Sequence, residues 1–366
     1  MMKAKTLTEA LTEAAAAGRG GVRLVDGHEQ GDWLAWDELL RRSRCAAAGI
    51  RERGVGSGER VTLVYPTGKE FLVAFFAVLL AGAVPAPVYP PVRLGRLDEY
   101  YDRTSAMWRA IDVSLVLSDG RARRLLGPVL ERTRPSCGCC RLEDLPAAGD
   151  HAEPRGERDL ALIQFSSGTA TAPKPVALSE SAILAQVRAF NALFPDSAEC
   201  RHSGVSWLPL YHDMGLIGAL LGAVVRGAEL TLIPPELFIA RPAIWLRAIS
   251  RYRATVSPAP NFAYGLATEK IRDEELDGVD LSSWRLALNG AEPVVASTLR
   301  RFSERFAPYG FSSTALTPVY GLAEASLAVT FSAIERPFVS QRFTRVSLEA
   351  GRRVELGASA SEASEL

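Results

Sequence analysis

The chain repeats one local pattern, in which a short apolar strand, a turn, a helix and a second extended segment follow one another. Residues 61–65 form a β-rich run, and Thr67 with Glu70 three positions later has the spacing of a helix capping box. The apolar run 71–80 then predicts a buried helix, and residues 84–88 leave it as an extended segment. Units of this kind pack as a parallel sheet with helices on its faces, so the pattern predicts an α/β fold.

The pattern recurs in the second half of the chain. Helices are predicted at about 181–193, 216–225, 243–252 and 295–306, and extended segments at 175–178, 229–233, 255–257 and 286–289. We therefore predict two similar subdomains, residues 1–155 and 156–335, each a mostly parallel sheet flanked by helices. Residues 336–366 turn to mixed β and small polar residues, which predicts the start of a small β subdomain or an insertion, partly disordered.

The balance of charge narrows the class of partner. The chain has 42 basic and 42 acidic residues with no long run of either sign. A nucleic-acid binder should carry a basic footprint and a membrane-surface binder a Lys/Arg cluster, so neither is expected. The longest apolar run, 71–84, falls short of the roughly 20 residues that a transmembrane helix needs, and the N-terminus lacks the apolar core of a signal peptide. We expect a cytoplasmic protein that recognises its ligand in a specific pocket.

Three of the five cysteines cluster at Cys137, Cys139 and Cys140, with His151 nearby. A zinc site would need a second ligand pair at suitable spacing, and the sequence offers none. We expect reduced thiols.

The first candidate site is a hydroxyl-rich loop that contains Ser166, Ser167, Gly168, Thr169 and Lys174. Such a loop offers backbone N–H groups, hydroxyl donors and one positive charge to phosphate oxygens. It is not a Walker A loop, because Lys174 stands between two prolines. An ordinary surface loop has the same composition, so both interpretations stay open.

The second candidate site is an apolar stretch that contains a His next to an Asp. Its candidate residues are Trp207, His212, Asp213, Met214 and Gly215. A His–Asp pair at the start of a helix can meet a carboxylate or a developing phosphoester, and the helix dipole favours negative charge there. Met and Gly suit an apolar tunnel, since neither imposes stiffness or bulk. The alternative is a capping Asp beside a half-buried His.

Two further motifs follow. Gly290, Ala291 and Glu292 end a predicted strand, where ligands bind in open α/β sheets, and Gly290 would let a flat ring lie against the backbone. The other motif contains Tyr320, Gly321, Leu322, Ala323 and Glu324. It offers a ring for stacking and a carboxylate for Mg²⁺. Each motif also fits an ordinary turn.

In this order and spacing, the four motifs resemble those of the adenylate-forming superfamily of acyl-CoA synthetases, luciferases and peptide-synthetase adenylation domains. Residues 86–91, 207–218 and 320–326 most resemble the fatty-acyl-AMP ligases within it. Residues 343–354 resemble the stretch that leads toward the characteristic insertion of that subfamily. The likeness runs from about residue 7 to the end of the chain.

The resemblance implies the N-terminal domain fold of these enzymes and their reaction. They join a carboxylic acid to ATP, release pyrophosphate, and form an acyl-adenylate. Fatty-acyl-AMP ligases then pass a long-chain acyl group to an acyl carrier protein, in polyketide or lipopeptide synthesis for example. Such chemistry brings anions together, so metal and donors must neutralise charge, and no protein nucleophile is needed.

The resemblance also implies residue roles, with ATP and Mg²⁺ as cofactors. The first loop would hold the phosphates through Ser166, Ser167, Gly168, Thr169 and Lys174. The adenine site would comprise Gly290, Ala291, Glu292, Tyr320, Gly321, Leu322 and Ala323, with Tyr320 stacked on the ring. Catalytic roles fall to Glu324, as the Mg²⁺ ligand, and to His212, near the acyl carboxylate and phosphate. The junction of acyl chain and nucleotide would be lined by Trp207, Asp213, Met214 and Gly215.

Two departures from the family shape the expected activity. Ala170-Thr171 replaces the usual Thr-Gly of the phosphate loop and Pro175 replaces a Gly, which predicts slower or altered ATP use. Family members continue into a ribose-binding Asp, a hinge and a C-terminal domain with a catalytic Lys, which are not found here. We expect a truncated N-terminal fragment with little turnover. A fatty-acyl-CoA synthetase and a non-catalytic acyl- or nucleotide-binding module are the alternatives.

Overall fold

The computed structural model describes residues 4–91, 97–146, 149–166, 173–198, 200–348, 351–353, 355–356 and 363–365. The chain forms two compact units. Unit 1 comprises Met1–Glu236 and Leu322–Leu327, and unit 2 comprises Leu237–Gly321 and Ala328–Leu366.

Unit 1 alternates strands and helices along most of its length. Its elements are α1 (Leu7–Ala16), β1 (Gly21–Val25), β2 (Gly31–Ala35), α2 (Trp36–Glu52), β3 (Arg60–Val64), α3 (Lys69–Leu80), β4 (Val84–Pro87), α4 (Leu97–Ala110), β5 (Val113–Ser118), α5 (Gly120–Leu125), α6 (Gly127–Thr133), β6 (Cys139–Cys140), β7 (Leu160–Phe165), β8 (Pro175–Ser179), α7 (Glu180–Leu193), β9 (Gly204–Ser206), a π-helix (Met214–Leu221), α8 (Gly222–Arg226) and β10 (Glu229–Leu232). The helix α9 (Pro235–Ala240) runs from unit 1 into unit 2.

The strands of unit 1 pair in three groups within the described residues. Strands β4, β3, β5 and β6 are neighbours in that order and all parallel. Strands β9, β10 and β1 pair in parallel, and β2 adds antiparallel to β1. Strands β7 and β8 form an antiparallel hairpin. The mostly parallel pairing confirms the predicted α/β class.

The apolar helix α3 is buried from Phe71 to Leu80 without interruption. An all-round apolar helix must lie inside the protein or a membrane. At 12 residues it is too short for a bilayer, and no other helix in the described ranges is long and apolar enough to be a span. The predicted capping box is wrong, because the helix begins at Lys69 and its N-cap is Gly68, which offers no side chain.

Unit 2 continues the alternation. Its elements are α10 (Ala243–Arg251), β11 (Val256–Ala259), α11 (Asn261–Lys270), β12 (Leu286–Asn289), α12 (Ala296–Phe306), β13 (Leu316–Gly321), β14 (Ala328–Phe331), β15 (Arg342–Thr344) and β16 (Ala363–Glu365). Strands β11, β12 and β13 are parallel neighbours, with β14 antiparallel at the edge. The core is aromatic, with ring centroids of Trp245 and Trp284 5.2 Å apart and those of Tyr264 and Phe302 5.0 Å apart.

The helices and strands predicted after residue 175 are confirmed to within a few residues, but the helix predicted at 216–225 has a different register. Residues Met214–Leu221 form a π-helix, which passes into α8 at Gly222. Almost every residue of this stretch is apolar and buried, so no hydrophobic period distinguishes one register from the other.

The compact units divide the chain at Glu236 and not near the predicted boundary at residues 150–158. A buried ion pair joins the two sides of that position, since Arg155 Nε lies 2.7 Å from Glu180 Oε1. The finer division into residues 1–155, 156–335 and 336–366 stays a prediction, and residues 357–362 of the predicted disordered tail lie outside the described residues.

Candidate active site

The predicted phosphate loop is closed at its base by the hairpin of β7 and β8. The Ser166 N–H donates to the Lys174 carbonyl at 3.0 Å, and Phe165 pairs with Pro175. Ser166 is half-buried and Lys174 is exposed. Ser167, Gly168 and Thr169 lie outside the described residues. The hairpin therefore presents the Lys174 cation at the mouth of the loop, where an anion can reach it.

Gln164, two residues before that loop, connects the hairpin to the second motif. Its side chain is 5 % exposed, and its Nε2–H donates to the Tyr211 carbonyl at 3.1 Å. No donor among the described residues lies within hydrogen-bond distance of its Oε1. One hydrogen bond thus joins the strand that enters the first loop to the turn that carries His212.

His212 and Asp213 form an ion pair at the start of the π-helix. The His212 Nδ1 lies 2.8 Å from the Asp213 Oδ1, which also accepts the Met214 N–H at 2.7 Å. Burial disfavours the imidazolium, but the hydrogen bond to Asp213 and its charge outweigh this and raise the pKa of His212 above its ordinary 6.5. The imidazole is still 44 % exposed, so the ring can meet a ligand.

The π-helix and its glycine depend on a close approach of backbone. A Cβ at Gly215 would collide with the Pro209 carbonyl oxygen and lie 3.0 Å from the Leu208 carbonyl oxygen. Gly215 is therefore required by the turn, and its predicted place beside the acyl chain stays a prediction. Single π-turns inside helices are rare and occur often at functional sites.

The residues predicted to line the acyl chain differ in exposure. Trp207 and Met214 are buried, at 3 % and 7 % exposure, and belong to the apolar surroundings of the His212 turn. Beside the turn, the rings of Tyr89 and Tyr211 are 6.3 Å apart, and Tyr89 also packs edge-on against Tyr100 at 5.3 Å. Aromatic and apolar side chains thus surround a charged His–Asp pair.

Glu324 belongs to unit 1 and lies on a short turn, Ala323–Ala325, beside β8. The turn is closed by a hydrogen bond from the Leu322 N–H to the Leu327 carbonyl at 2.8 Å, and Ser326 takes the left-handed conformation with φ of 68°. Glu324 is exposed and forms no ion pair within the described part of the chain. Its free carboxylate is therefore available to a cation.

The carboxylate fits a magnesium ion held mainly by a ligand's phosphates. No group of three or more His, Cys, Asp or Glu able to hold a metal occurs in the described ranges. Mg²⁺ bound with nucleotides commonly takes one or two protein carboxylates and completes its shell with phosphate oxygens and water. A single exposed Glu324 meets that requirement, whereas a permanent structural metal would need more protein ligands.

The third motif lies in unit 2 at the carboxyl end of β12. A Cβ at Gly290 would lie 2.7 Å from both Cγ2 and the carbonyl oxygen of Val319, so the glycine is required by the closeness of β13. That a flat ring lies against the Gly290 backbone stays a prediction, because the contact with Val319 concerns only the Cβ position. Ala291 takes a left-handed φ of 67°, which directs the chain away from the strand.

The Glu292 carboxylate is already engaged by the protein. It accepts the Phe262 N–H at 2.5 Å at the start of α11, and Asn261 Oδ1 accepts the Val295 N–H at 3.0 Å. These two bonds fix the loop that follows Gly290 to the first turn of α11. Glu292 therefore positions the loop through Oε1, and its predicted role beside the adenine stays a prediction.

Tyr320 and Gly321 end β13, the neighbour of β12 in unit 2. The Tyr320 side chain is 61 % exposed, so its ring is free to stack. The structure brings Ser166, Lys174, His212 and Glu324 into unit 1, and Gly290, Ala291, Glu292 and Tyr320 into unit 2. Leu322 is exposed and Ala323 is buried in the turn of Glu324.

Two residues of this region received no role of their own from the sequence: Gln164, which precedes the first loop, and Tyr89, which lies within the family-like residues 86–91. A signal for Gln164 was present, since it is the one polar residue in the apolar strand 160–165 and a buried amide needs a partner. Tyr89 gave no comparable signal, because its neighbour Tyr211 is distant in sequence.

Comparison with known proteins now decides the family. The model of the AMP-binding enzyme family matches residues 11–352. The chain belongs to this family. Its fold is that of the N-terminal domain of adenylate-forming enzymes. A solved chain from a study of fatty acyl-adenylate ligases of E. coli and L. pneumophila superposes on it with a TM-score of 0.92 at 32 % sequence identity. The superposition covers 100 % of this chain and 66 % of the solved chain.

Two relatives of this AMP-binding enzyme are named for different activities. A 4-hydroxyphenylalkanoate adenylyltransferase of Mycobacterium marinum is 32 % identical over 365 residues, covering 96 % of this chain and 58 % of the relative. The medium-chain-fatty-acid–[acyl-carrier-protein] ligase JamA of Moorena producens is 33 % identical over 319 residues, covering 84 % and 52 %. The chain thus spans between about half and two thirds of the length of these three proteins.

Proposed function

We propose that this chain is the acyl- and nucleotide-binding part of a fatty-acyl-AMP ligase, which activates a long-chain fatty acid with ATP and delivers it to an acyl carrier protein. The observation that carries the proposal is the position of the Glu324 turn beside β8, the strand that Lys174 immediately precedes. A phosphate-binding cation and a free carboxylate for Mg²⁺ are what the triphosphate of ATP requires at one place.

The chemistry follows from charge. The fatty-acid carboxylate attacks the α-phosphate, its oxygen forms the new P–O bond, and pyrophosphate leaves with the electrons of the broken bond. Negative charge accumulates on the phosphoryl oxygens, so fixed positive groups stabilise the transition state more than the ground state. Lys174 would contact the leaving phosphates, Glu324 would hold a Mg²⁺ ion that neutralises their charge, and His212, whose pKa is raised, would lie near the reacting carboxylate.

The surroundings of the His212 turn favour an apolar acid. Trp207 and Met214 are buried beside it, and the π-helix that follows is buried along nearly its whole length. The solved fatty acyl-adenylate ligase and JamA support a fatty acid and a carrier protein. The M. marinum relative instead suggests an aryl-alkanoic acid as the competing substrate.

Turnover by these residues alone is expected to be slow. The altered loop, with Pro175 in place of a flexible residue, should weaken phosphate binding because Pro175 donates no N–H. A complete ligase of this family would also bring a catalytic Lys from a further domain.

The test separates binding from turnover. We would titrate MgATP, and separately a non-hydrolysable long-chain acyl-adenylate analogue, into the chain by calorimetry. Lys174→Ala and Glu324→Gln should each weaken MgATP binding by about tenfold, the effect of losing one charge-assisted contact. Lys270→Ala and Glu274→Gln, which remove exposed charges of the same kinds in unit 2, should leave it unchanged. No binding of either probe by the unaltered chain contradicts the proposal.

Substrate and acceptor are tested by activity. Fatty-acid-dependent ATP–pyrophosphate exchange should exceed exchange with a hydroxyphenylalkanoate if the acyl site is a fatty-acid site. Acyl transfer should proceed to the holo carrier protein and not to coenzyme A. Preference for coenzyme A would identify an acyl-CoA synthetase, and binding without any exchange, even in a chain extended to the length of its relatives, would identify a binding module.

A further inference from the structure

Gln164 has a position that its neighbours in the strand do not explain. It is the one polar residue of β7, and only 5 % of it is exposed. The other residues of that strand are apolar. A buried amide is tolerated where its donor and its acceptor both find partners. Here the donor is used and the acceptor is not, since Nε2–H bonds the Tyr211 carbonyl at 3.1 Å while Oε1 meets no donor among the described residues.

The bond that Gln164 makes reaches the turn that positions the His–Asp pair. The same turn is held by the His212 N–H, which donates to the Pro209 carbonyl at 3.2 Å, and by the Leu216 N–H, which donates to the His212 carbonyl at 2.8 Å. Those bonds are local, whereas the bond from Gln164 comes from a strand 47 residues away. It links the turn to the strand that leads into the loop beginning at Ser166.

We propose that Gln164 is a positioning residue of the adenylation site, which fixes the His212–Asp213 turn against the entrance of the phosphate loop. The inference rests on the proposed function, because it assigns Gln164 to the alignment of His212 with a nucleotide's phosphates. The unused Oε1 is an acceptor kept out of water beside that alignment. A donor from a ligand or from a bound water would give Oε1 its missing hydrogen bond, and a ligand that supplies this donor would bind more tightly.

The donor role can be tested with an acid in place of the amide. In Gln164→Glu, an ionised carboxylate faces the Tyr211 carbonyl with no hydrogen to donate, and we expect the acyl-adenylate analogue to bind about tenfold more weakly at about pH 8. A buried carboxyl group resists ionisation, so its pKa rises above the ordinary ~4.3. Lowering the pH to about 5.5 then protonates the residue, restores an O–H donor, and should recover most of the affinity.

Gln164→Met has nearly the same shape and no hydrogen-bonding group, so it should lose affinity by a similar factor at both pH values. The matched control is Asn191→Asp, because Asn191 Nδ2–H also donates to a distant backbone carbonyl, that of Gly222, at 3.2 Å. It should bind the analogue as the unaltered chain does at both pH values. His212 and Asp213 titrate in the same turn, so each affinity is divided by that of the unaltered chain at the same pH.

The outcomes are distinguishable. If the unaltered chain does not bind the analogue, the proposed function fails. If it binds and the Gln164 variants bind equally well, or if Gln164→Glu shows no recovery at the lower pH, the positioning role fails. If Gln164→Met does not fold, the ratio between the two pH values for Gln164→Glu still decides. A tenfold loss that is regained on protonation, with Asn191→Asp unaffected, supports the role.

Discussion

Replacing Glu180 with alanine should lower the stability of unit 1 by about 3–5 kcal/mol, the cost of leaving one member of a buried ion pair alone. The Glu180 side chain is fully buried and that of Arg155 is 2 % exposed, with Nε and Oε1 2.7 Å apart. The other carboxylate oxygen accepts the Leu7 N–H at 2.8 Å, so it also holds the first turn of α1. Removal of the Glu180 side chain therefore leaves the Arg155 guanidinium without its charge partner and the Leu7 N–H without its acceptor.

Arg155 does not lose every partner. It also donates to the carbonyls of Ala83, at 3.2 Å, and Leu160. These neutral acceptors bind a guanidinium without compensating its charge, which places the expected loss toward the middle of the range. A unit of this size changes its melting temperature by ~2–4 °C per kcal/mol, so the shift should be on the order of 10 °C.

The assay must separate the two units. Thermal unfolding followed by tryptophan fluorescence gives the total shift, and hydrogen exchange of Leu7–Ala16 reports the loss of the contact to α1. The matched control is Glu157→Ala, whose partner Lys5 lies 3.4 Å away on the surface, with side chains 51 % and 71 % exposed. Such a surface pair contributes about 0–1 kcal/mol.

The double variant Glu180→Leu with Arg155→Met completes the reasoning. Two apolar side chains leave no buried charge, so the part of the lost stability that the unpaired charge costs should return. The Leu7 N–H and the Ala83 and Leu160 carbonyls still lose their partners, so the recovery should be incomplete. If Glu180→Ala costs no more than Glu157→Ala, the buried pair does not hold unit 1 together and the reasoning is refuted.

Two other predictions concern the candidate site. Asp213→Asn should lower the pKa of His212, because the carboxylate that raises this pKa is gone. In the unaltered chain, Asp213 stabilises the imidazolium below pH ~6.5, and this contribution is lost as the pH rises through the folded pKa. In the variant, the NMR titration of His212 should therefore move to lower pH, and the stability gained on acidification should be smaller. An unchanged titration would mean that Asp213 does not set the charge. Gly290→Ala should cost about 1–3 kcal/mol in urea unfolding, since its Cβ would meet Val319 at 2.7 Å, whereas Gly265→Ala, with ordinary contact at 3.6 Å, should be neutral or stabilising. Equal effects of the two substitutions would contradict the close approach of β13.

The local order of the chain was readable from its residues. The apolar run 71–80 is the buried α3, and the strand predicted at 286–289 is β12 with the same bounds. These succeed because burial and turn chemistry act over a few neighbouring residues. The four motifs are likewise a property of the linear sequence. Their order indicates the family, and the match to the AMP-binding enzyme family confirms that family.

What lies far apart in sequence was decided by packing alone. The compact unit that joins the two sides of residue 155, the bond from Gln164 to Tyr211, and the contact of Val319 that requires Gly290 all depend on which segments become neighbours. The π-helix was hidden for a related reason, since an unbroken apolar stretch is compatible with either helical register. Periodicity predicts whether a residue faces the core. Its hydrogen-bond partners and steric limits depend on segments that are distant in sequence and become neighbours only in the folded chain.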